Sequence, residues 1–317
     1  MERPNGTFPT FFILLPITNI AWLQKFLFVF VFFFYLLNII GNLTILSLVI
    51  KDLNLHSPMY FLLASLSFVD MCISSSTVPK MMVGFWVQNY ISLKGCFSQM
   101  FFFHVFGCTE GVIIAVMGFD RYIAICHALR YVNIMTKAAC IQLVLGSWSV
   151  CLSITSMHVV MSSRLPFCNG YIVKHFFCDI KPVIKLACAD THVNEFIVAA
   201  VTGIFSTVAF VMLMLSYCFI MKHLVNIRSS EGRSKAFSTC SSHFIIVILY
   251  YGTAICIYLG PASENTIEKD RVAAMIFTVI TPALNPLIYT LRNKDIRKSL
   301  RQLVSRSVAW SVRVRVQ

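Results

Sequence analysis

The sequence predicts an all-α membrane protein, a seven-transmembrane helix bundle with a short interfacial eighth helix. Three observations support this fold class. Hydrophobic residues make up 58% of the 317 residues and charged residues only 12%, with a mean hydropathy of +0.77, whereas about a quarter of a soluble domain is charged. Seven stretches are nearly free of charge over about 20 residues, the length of a helix that crosses ~30 Å of hydrocarbon. Lysine and arginine are also distributed unequally among the connecting segments.

The predicted spans each contain at most one formal charge. They are 26–50, 58–79, 95–119, 138–163, 196–221, 236–263 and 272–291. We therefore divide the chain into an extracellular N-terminal tail at 1–25, a seven-helix domain at 26–291 and a cytoplasmic interfacial helix and tail at 292–317. An odd number of spans places the two termini on opposite faces of the membrane.

The loop charges orient the bundle. With the C-terminus inside, the inner segments carry 16 bases and four acids, and the outer segments carry ten bases and seven acids; two intramembrane acids complete the net charge of +13. The positive-inside rule then predicts an extracellular N-terminus and a cytoplasmic C-terminus. The excess of bases indicates contact with anionic membrane lipid rather than nucleic-acid binding. Asn5, in the sequon Asn5-Gly6-Thr7, is a candidate glycosylation site in the outer tail.

Two acids lie at hydrocarbon depth, Asp70 in the second span and Glu110 in the third. An isolated ionised carboxylate is so costly there that each must be neutral, paired or hydrated. One interpretation is a network of two protonated acids; the one we favour is a shared cation or water site. In the first span, Gly41-Asn42 predicts either close packing with the amide bonded to backbone or, as we favour, a contact between Asn42 and Asp70.

Further landmarks lie near the ends of the later spans. Asp120 and Arg121 stand together where the third span leaves hydrocarbon, on the face that the loop charges make cytoplasmic. His243 is expected to be a hydrogen-bonded core residue, with pH sensing as the alternative. Pro282 and Pro286 each remove a helix hydrogen bond and predict a kinked seventh helix. Beyond it, bases surround an apolar stripe that predicts the interfacial helix: Ile296, Leu300 and Leu303.

Four of the 12 cysteines lie in outer segments, where oxidation is expected: Cys96, Cys168, Cys178 and Cys188. Three pairings exist, and the sequence alone does not separate them. A zinc site is a competing interpretation, disfavoured because the chain has no CxxC pair. Three of these cysteines lie in the long outer loop 164–195, which we expect to fold as a lid over an extracellular cavity.

In this order and spacing, the motifs resemble the olfactory (odorant) receptor family of rhodopsin-like G-protein-coupled receptors over about residues 5–294. The motifs are Gly41-Asn42, 55–60, Asp70, 117–126, Ser216-Tyr217, 235–243, 251–253 and 282–293. The resemblance implies a plasma-membrane receptor that binds small, mostly apolar volatile molecules and activates a stimulatory, olfactory-type G protein to raise cyclic AMP. No enzyme is expected, because no nucleophile, base and orienting acid cluster at one depth.

The resemblance also implies roles for particular residues. It implies disulfides between Cys96 and Cys178 and between Cys168 and Cys188. It makes Asp70 and Glu110 a sodium-linked polar site, and no other metal or cofactor is expected. The residues implied in the switch and in G-protein coupling are Asp120, Arg121, Tyr122, Tyr217, Asn285, Pro286 and Tyr289.

The resemblance places the ligand in the outer half of the bundle, among helices three, five, six and seven. Helical spacing then selects candidate cavity residues, for each of which ordinary helix packing is the alternative. They are His104, Gly107, Cys108, Gly111, Val201, Thr202, Phe205, Tyr251, Ala254, Ile255, Tyr258 and Thr278. Neither an acid in the outer half of helix three nor a lysine in helix seven is present, so we expect a neutral ligand with one polar group, bonded by His104, Tyr258 or Thr278.

Two positions depart from the usual family pattern. Ala128 stands where proline is usual and is expected to loosen the following loop, and Tyr250 replaces a phenylalanine. A non-olfactory receptor of the same superfamily is the alternative function. An ion transporter or channel that uses Asp70 and Glu110 is disfavoured by the odd number of spans and the lack of an inverted repeat.

Overall fold

The computed structural model describes residues 10–168, 170–226, 230–258, 266–303 and 305. Side chains are not described for 230–239, 242, 256–258, 266–267 and 291–292. Asn5 therefore lies outside the described residues. Eight helices matter for the argument, and the seventh consists of an α-helix, a π-helical turn and a second α-helix. They are α1 (Ala21–Lys51), α2 (Pro58–Val83), α3 (Leu93–Cys126), α4 (Lys137–Ser163), α5 (His192–Val225), α6 (Ser230–Tyr258), α7 (Thr266–Met275, Ile276–Ile280 and Thr281–Arg292) and α8 (294–303).

The seven-helix prediction is confirmed. Helices α1 to α5 and α7 are long and apolar enough to cross a membrane, and α6 contributes a shorter apolar stretch, His243–Ile255, within the described part of the chain. Several helices run past the charge-free spans. Helix α1 begins at Ala21 instead of 26, and α3 continues to Cys126 instead of 119. Charges mark where hydrocarbon ends, whereas a helix ends where its backbone hydrogen bonds are interrupted or capped.

Helices α1 and α7 pack closely at Gly41. A Cβ atom at this position would lie 2.8 Å from Cγ of Pro286, so the close approach requires glycine. The neighbouring Asn42 donates to Oδ1 of Asn38 at 2.6 Å and to the carbonyl of Pro282 at 3.2 Å. The predicted Asn42–Asp70 contact is therefore wrong, and the packing interpretation is right. The carbonyl of Pro282, left free because Pro286 has no N–H, accepts from Asn42, while the carboxylate of Asp70 accepts from Asn285 instead.

A small sheet lies at the end of the bundle that carries the disulfides, which we call the disulfide end. Strand β1 (Phe11–Leu14) lies between β2 (Asn89–Ser92) and β3 (Ile172–Val173). It pairs antiparallel with β2 and parallel with β3. The predicted N-terminal tail thus contains a strand, which its short and irregular apolar pattern did not reveal.

The loop between α4 and α5 is folded against this sheet. Disulfides join Cys96 to Cys178 and Cys168 to Cys188, with Cα–Cα distances of 5.4 and 5.6 Å. Both implied pairings are confirmed, and the zinc interpretation is wrong because all four thiols are consumed. We call the segment 164–191, together with β1 and β2, the lid.

Helix α8 packs back onto the opposite end of the bundle, which we call the Arg121 end. The side chain of Ile296 is buried, and Leu300 and Leu303 pack partly buried against the core. The hydroxyl of Ser299 donates to Asp52, and the hydroxyl of Tyr60 donates to Asp295 at 3.0 Å. The apolar stripe that predicted an interfacial helix therefore faces protein.

Candidate functional site

A cavity lies between α3, α4, α5, α6 and α7 in the half of the bundle nearer the lid. Its volume, counted as the space open to the centres of water molecules, is about 90 Å³, several times the 10–15 Å³ that one water needs. It therefore has room for a small organic molecule. Eight of the twelve predicted ligand residues line it: His104, Gly107, Cys108, Gly111, Thr202, Phe205, Tyr251 and Ala254.

The other four predicted ligand residues are placed differently. Val201 is not among the residues that line the cavity, and Ile255 turns an exposed side chain to the outside of the bundle. Thr278 is buried, and its hydroxyl donates within its own helix to the carbonyl of Ala274 at 2.8 Å. The π-helical turn contains an extra residue, and Phe277 rather than Thr278 lines the cavity. The side chain of Tyr258 lies outside the described residues.

The prediction overlooked one whole wall of the cavity. Helix α4 contributes Ile154, Thr155 and His158, and the remaining overlooked residues are Phe103, Val112, Ser206, Ala209, Tyr250 and Phe277. A signal for α4 was available in the sequence. Cys151, Thr155, His158 and Ser162 recur at helical spacing and are all buried, and polar residues on one stripe of an apolar helix indicate its inward face.

His104 ties α3 to the lid. Its Nδ1 lies 2.8 Å from the carbonyl oxygen of Met100, and its Nε2 lies 3.2 Å from Oδ1 of Asp179. Both ring nitrogens of His104 therefore face an acceptor oxygen. Burial alone would raise the pKa of Asp179, but the hydrogen bond and charge of His104 lower it overall. The backbone N–H of Cys178 also donates to Oε1 of Gln99 at 3.0 Å.

Two tyrosines of α6 close the cavity against α3. The hydroxyl of Tyr250 donates to the carbonyl of Gly107 at 2.6 Å, and that of Tyr251 donates to the carbonyl of Gly111 at 3.0 Å. A Cβ atom at Gly111 would lie 2.6 Å from the Tyr250 hydroxyl oxygen. Tyr250, which stands where phenylalanine is usual, thus adds a hydrogen bond between α6 and α3.

A buried polar site lies between the cavity and the Arg121 end. Asp70 is fully buried and accepts from Nδ2 of Asn285 at 2.9 and 3.1 Å. The carboxyl group of Glu110 is close enough to interact electrostatically with that of Asp70. Among the described residues, neither oxygen of Glu110, nor Oδ1 of Asn285, has a hydrogen-bond donor in position. The site is therefore rich in acceptor oxygen atoms and poor in hydrogen-bond donors.

The candidate switch residues divide into two sets. Nη2 of Arg121 lies 2.8 Å from Oδ2 of Asp120, whose other oxygen accepts from the hydroxyl of Tyr131 at 2.8 Å. The hydroxyl of Tyr122 lies 3.0 Å from Nε2 of His127. The loop after α3 is helical over Ala128–Arg130 and Tyr131–Ile134, and the Tyr131 hydroxyl connects it to Asp120.

The second set lies on α5, α6 and α7. The hydroxyl of Tyr217 is 2.5 Å from Nδ1 of His243, which is buried, as expected of a core histidine. The hydroxyl of Tyr289 points to the sulfur of Met117 at 4.0 Å. Tyr217 therefore joins α5 to α6, and Tyr289 reaches α3.

Comparisons with known proteins agree over nearly the whole chain. The family described as olfactory receptor matches residues 30–307. The chain is 43% identical to the human olfactory receptor 1M1 over 98% of its own length and 100% of that protein. It is 44% identical to human olfactory receptor 12D1, with 95% of both chains covered, and 42% identical to the mouse olfactory receptor 1M1 over 98% of this chain and 100% of the relative.

Proposed function

Because the chain belongs to the olfactory receptor family of G-protein-coupled receptors, we propose that it binds small, mostly apolar volatile molecules in the described cavity. We further propose that it then activates a stimulatory, olfactory-type G protein and so raises cyclic AMP. Proteins of this family are receptors rather than enzymes.

The observation that carries the proposal is the chemistry of the cavity wall. Aromatic and aliphatic side chains and two glycines form most of it, and no carboxylate is among the residues that line it in the described part of the chain. Asp179, the lid acid that contacts the cavity residue His104, is paired with that histidine. An amine ligand therefore lacks a counter-ion, whereas a neutral apolar molecule gains by leaving water.

The mechanism is a shift in population between two packings of the bundle. The cavity lies where Tyr250 and Tyr251 hold α6 against α3, so a ligand there interacts differently with a closed and an open arrangement of these helices. A ligand that prefers the open arrangement increases its population. At the Arg121 end, α6 moves away from α3. Arg121 then breaks its ion pair with Asp120 and contacts the G protein instead.

Two further assignments belong to this proposal. The charge asymmetry of the loops supports an extracellular disulfide end and a cytoplasmic Arg121 end, with Asn5 as the glycosylated residue. Asp70 and Glu110 would hold a sodium ion, since Na⁺ favours oxygen ligands and the oxygens of Glu110 have no donor among the described residues. The ion would supply the positive charge that two neighbouring buried carboxylates require.

The experiment is an odorant panel with a cyclic AMP reporter in cells, run on the receptor and on Arg121→Ala. We expect the substitution to abolish the ligand-dependent signal while surface staining is retained. Arg130→Ala is the matched control, because Arg130 is an exposed base of the next loop and should keep most of the response. A normal signal from Arg121→Ala would contradict the proposed coupling.

A further inference from the structure

Three of the polar side chains that line the cavity are already engaged in hydrogen bonds. Tyr250 and Tyr251 donate their hydroxyl protons to backbone carbonyls of α3. Both ring nitrogens of His104 are directed to acceptors, the carbonyl of Met100 and the carboxylate of Asp179. A ligand that bonded these groups would have to break an existing bond, so His104 does not serve as a free anchor.

His158 on α4 is different. It lines the cavity and is only 3% exposed, yet its Nε2 atom has no hydrogen-bond partner among the described residues. It is the one buried side-chain nitrogen or oxygen lining the cavity of which this holds in the described part of the chain. A buried polar atom without a partner is costly, and a bound molecule that supplies the partner removes that cost.

We infer that Nε2 of His158 anchors the single polar group of the ligand, and that the ligand class is a small apolar molecule with one hydroxyl or carbonyl group. The inference rests on the proposed function. A hydroxyl can donate or accept and so matches either tautomer of the imidazole, while a carbonyl matches the tautomer with a proton on Nε2. The apolar body of the ligand then lies toward Phe205 on α5 and Phe277 on α7, which line the cavity.

The test uses three eight-carbon probes, namely 1-octanol, 2-octanone and 1-octene, with four- to ten-carbon homologues of each. Cyclic AMP is recorded in cells. Binding is measured separately, as the rise in melting temperature of the purified full-length receptor in lipid nanodiscs. His158→Phe keeps an aromatic ring but removes the nitrogen, and His158→Gln keeps an amide that can replace it. His192→Phe, the same substitution at an exposed position of α5, is the matched control.

We expect His158→Phe to weaken binding of the alcohol or ketone about fivefold or more, as for the loss of one hydrogen bond. Binding of the octene should weaken less than about twofold. For the oxygenated probes, the affinity of His158→Gln should stay within about threefold, and that of His192→Phe within about twofold, of the unmodified receptor. An unchanged affinity for the oxygenated probe in His158→Phe would overturn the anchor, as would an equal loss for all probes.

Failure of the anchor and failure of the proposed function give different results. A cyclic AMP response that does not depend on His158 overturns the anchor and leaves the receptor function standing. Stabilisation by oxygenated probes that depends on His158, without any cyclic AMP, supports the anchor and contradicts the coupling. If no alcohol or ketone of the series either stabilises or activates the receptor, the anchor for this ligand class is wrong, whatever other odorants do.

Discussion

At the scale of single residues, two glycines of α3 decide how closely α6 approaches that helix. Gly107 and Gly111 expose backbone carbonyls to the hydroxyls of Tyr250 and Tyr251. A larger residue at Gly111 would occupy the space of the Tyr250 hydroxyl. The contact that we assign to ligand-dependent switching therefore depends on the absence of a single Cβ atom.

Gly111→Ala tests this contact. A Cβ atom 2.6 Å from the Tyr250 hydroxyl oxygen forces the ring out of its position, and overpacking of this kind lowers the free energy of unfolding by about 1–3 kcal/mol. The melting temperature of the purified receptor measures the loss. Gly146→Ala on α4 is the control, because its added Cβ has nothing within 4 Å. A melting temperature for Gly111→Ala equal to that of the control would refute the assigned close contact.

His175 in the lid makes stability depend on pH. Burial lowers its pKa to about 4, against an opposing effect of Asp179, so the imidazole is neutral when folded and takes up a proton near pH 6.5 when unfolded. The contribution of the neutral His175 to the free energy of unfolding is complete above pH 6.5 and is lost as the pH falls towards 4. Between pH 7 and pH 5 the loss is about 2 kcal/mol.

His175→Phe should remove this contribution. We expect the melting temperature of the variant to fall less between pH 7 and pH 5 than that of the unmodified receptor. His192→Phe, at an exposed position of α5, should keep the original pH dependence. Identical pH profiles for His175→Phe and the unmodified receptor would show that His175 is solvated in solution.

At the scale of elements, β1 joins the first residues of the described chain to the rest of the lid. Alternate side chains of the strand face opposite ways, so Phe12 is buried against Phe167 with ring centroids 5.6 Å apart, whereas Phe11 is 42% exposed. The backbone N–H of Ile13 also donates to the carbonyl of Tyr171 at 2.7 Å. The strand therefore contributes packing as well as backbone pairing to the lid.

Phe12→Ala should destabilise the lid by about 3 kcal/mol, the usual result of removing a buried aromatic ring. Phe11→Ala, one residue away on the exposed face, should cost less than about 1 kcal/mol. Thermal unfolding of the two variants side by side measures the difference. Equal losses would mean that β1 does not present Phe12 to the core in solution.

At the scale of the whole molecule, the polar site lies between the cavity and the Arg121 end. Asn285 of α7 bonds Asp70 of α2, and the neighbouring Glu110 belongs to the same helix as the cavity glycines and Arg121. A cation between these helices would favour one packing of the bundle over another. Ligand potency should then depend on sodium concentration.

Glu110→Gln tests the sodium assignment. We expect sodium to change the half-maximal ligand concentration of the unmodified receptor several-fold in membrane preparations, with potassium as the ionic-strength control. The variant should lose most of this dependence, because its amide carries no negative charge to hold the cation. Glu195→Gln, at an exposed acid of α5, should retain it. A sodium effect that survives in Glu110→Gln would place the ion elsewhere.

The sequence by itself determined the seven-helix fold and, through the family resemblance, both disulfides and most of the α3, α5 and α6 wall of the cavity. The fold follows from composition and charge-free length, and helical spacing selected the cavity residues, all of which are properties of the local sequence. The disulfide pairing and the position of the cavity were implied by the family resemblance alone. Only the tertiary structure decided that α4 supplies His158, that Thr278 turns into its own helix, that Asn42 bonds the α7 backbone and that β1 belongs to the lid. Each of these depends on which neighbouring element a polar or apolar face packs against. A sequence that is compatible with the bilayer does not determine that neighbour, because many rotations of a helix about its axis bury a similar apolar area.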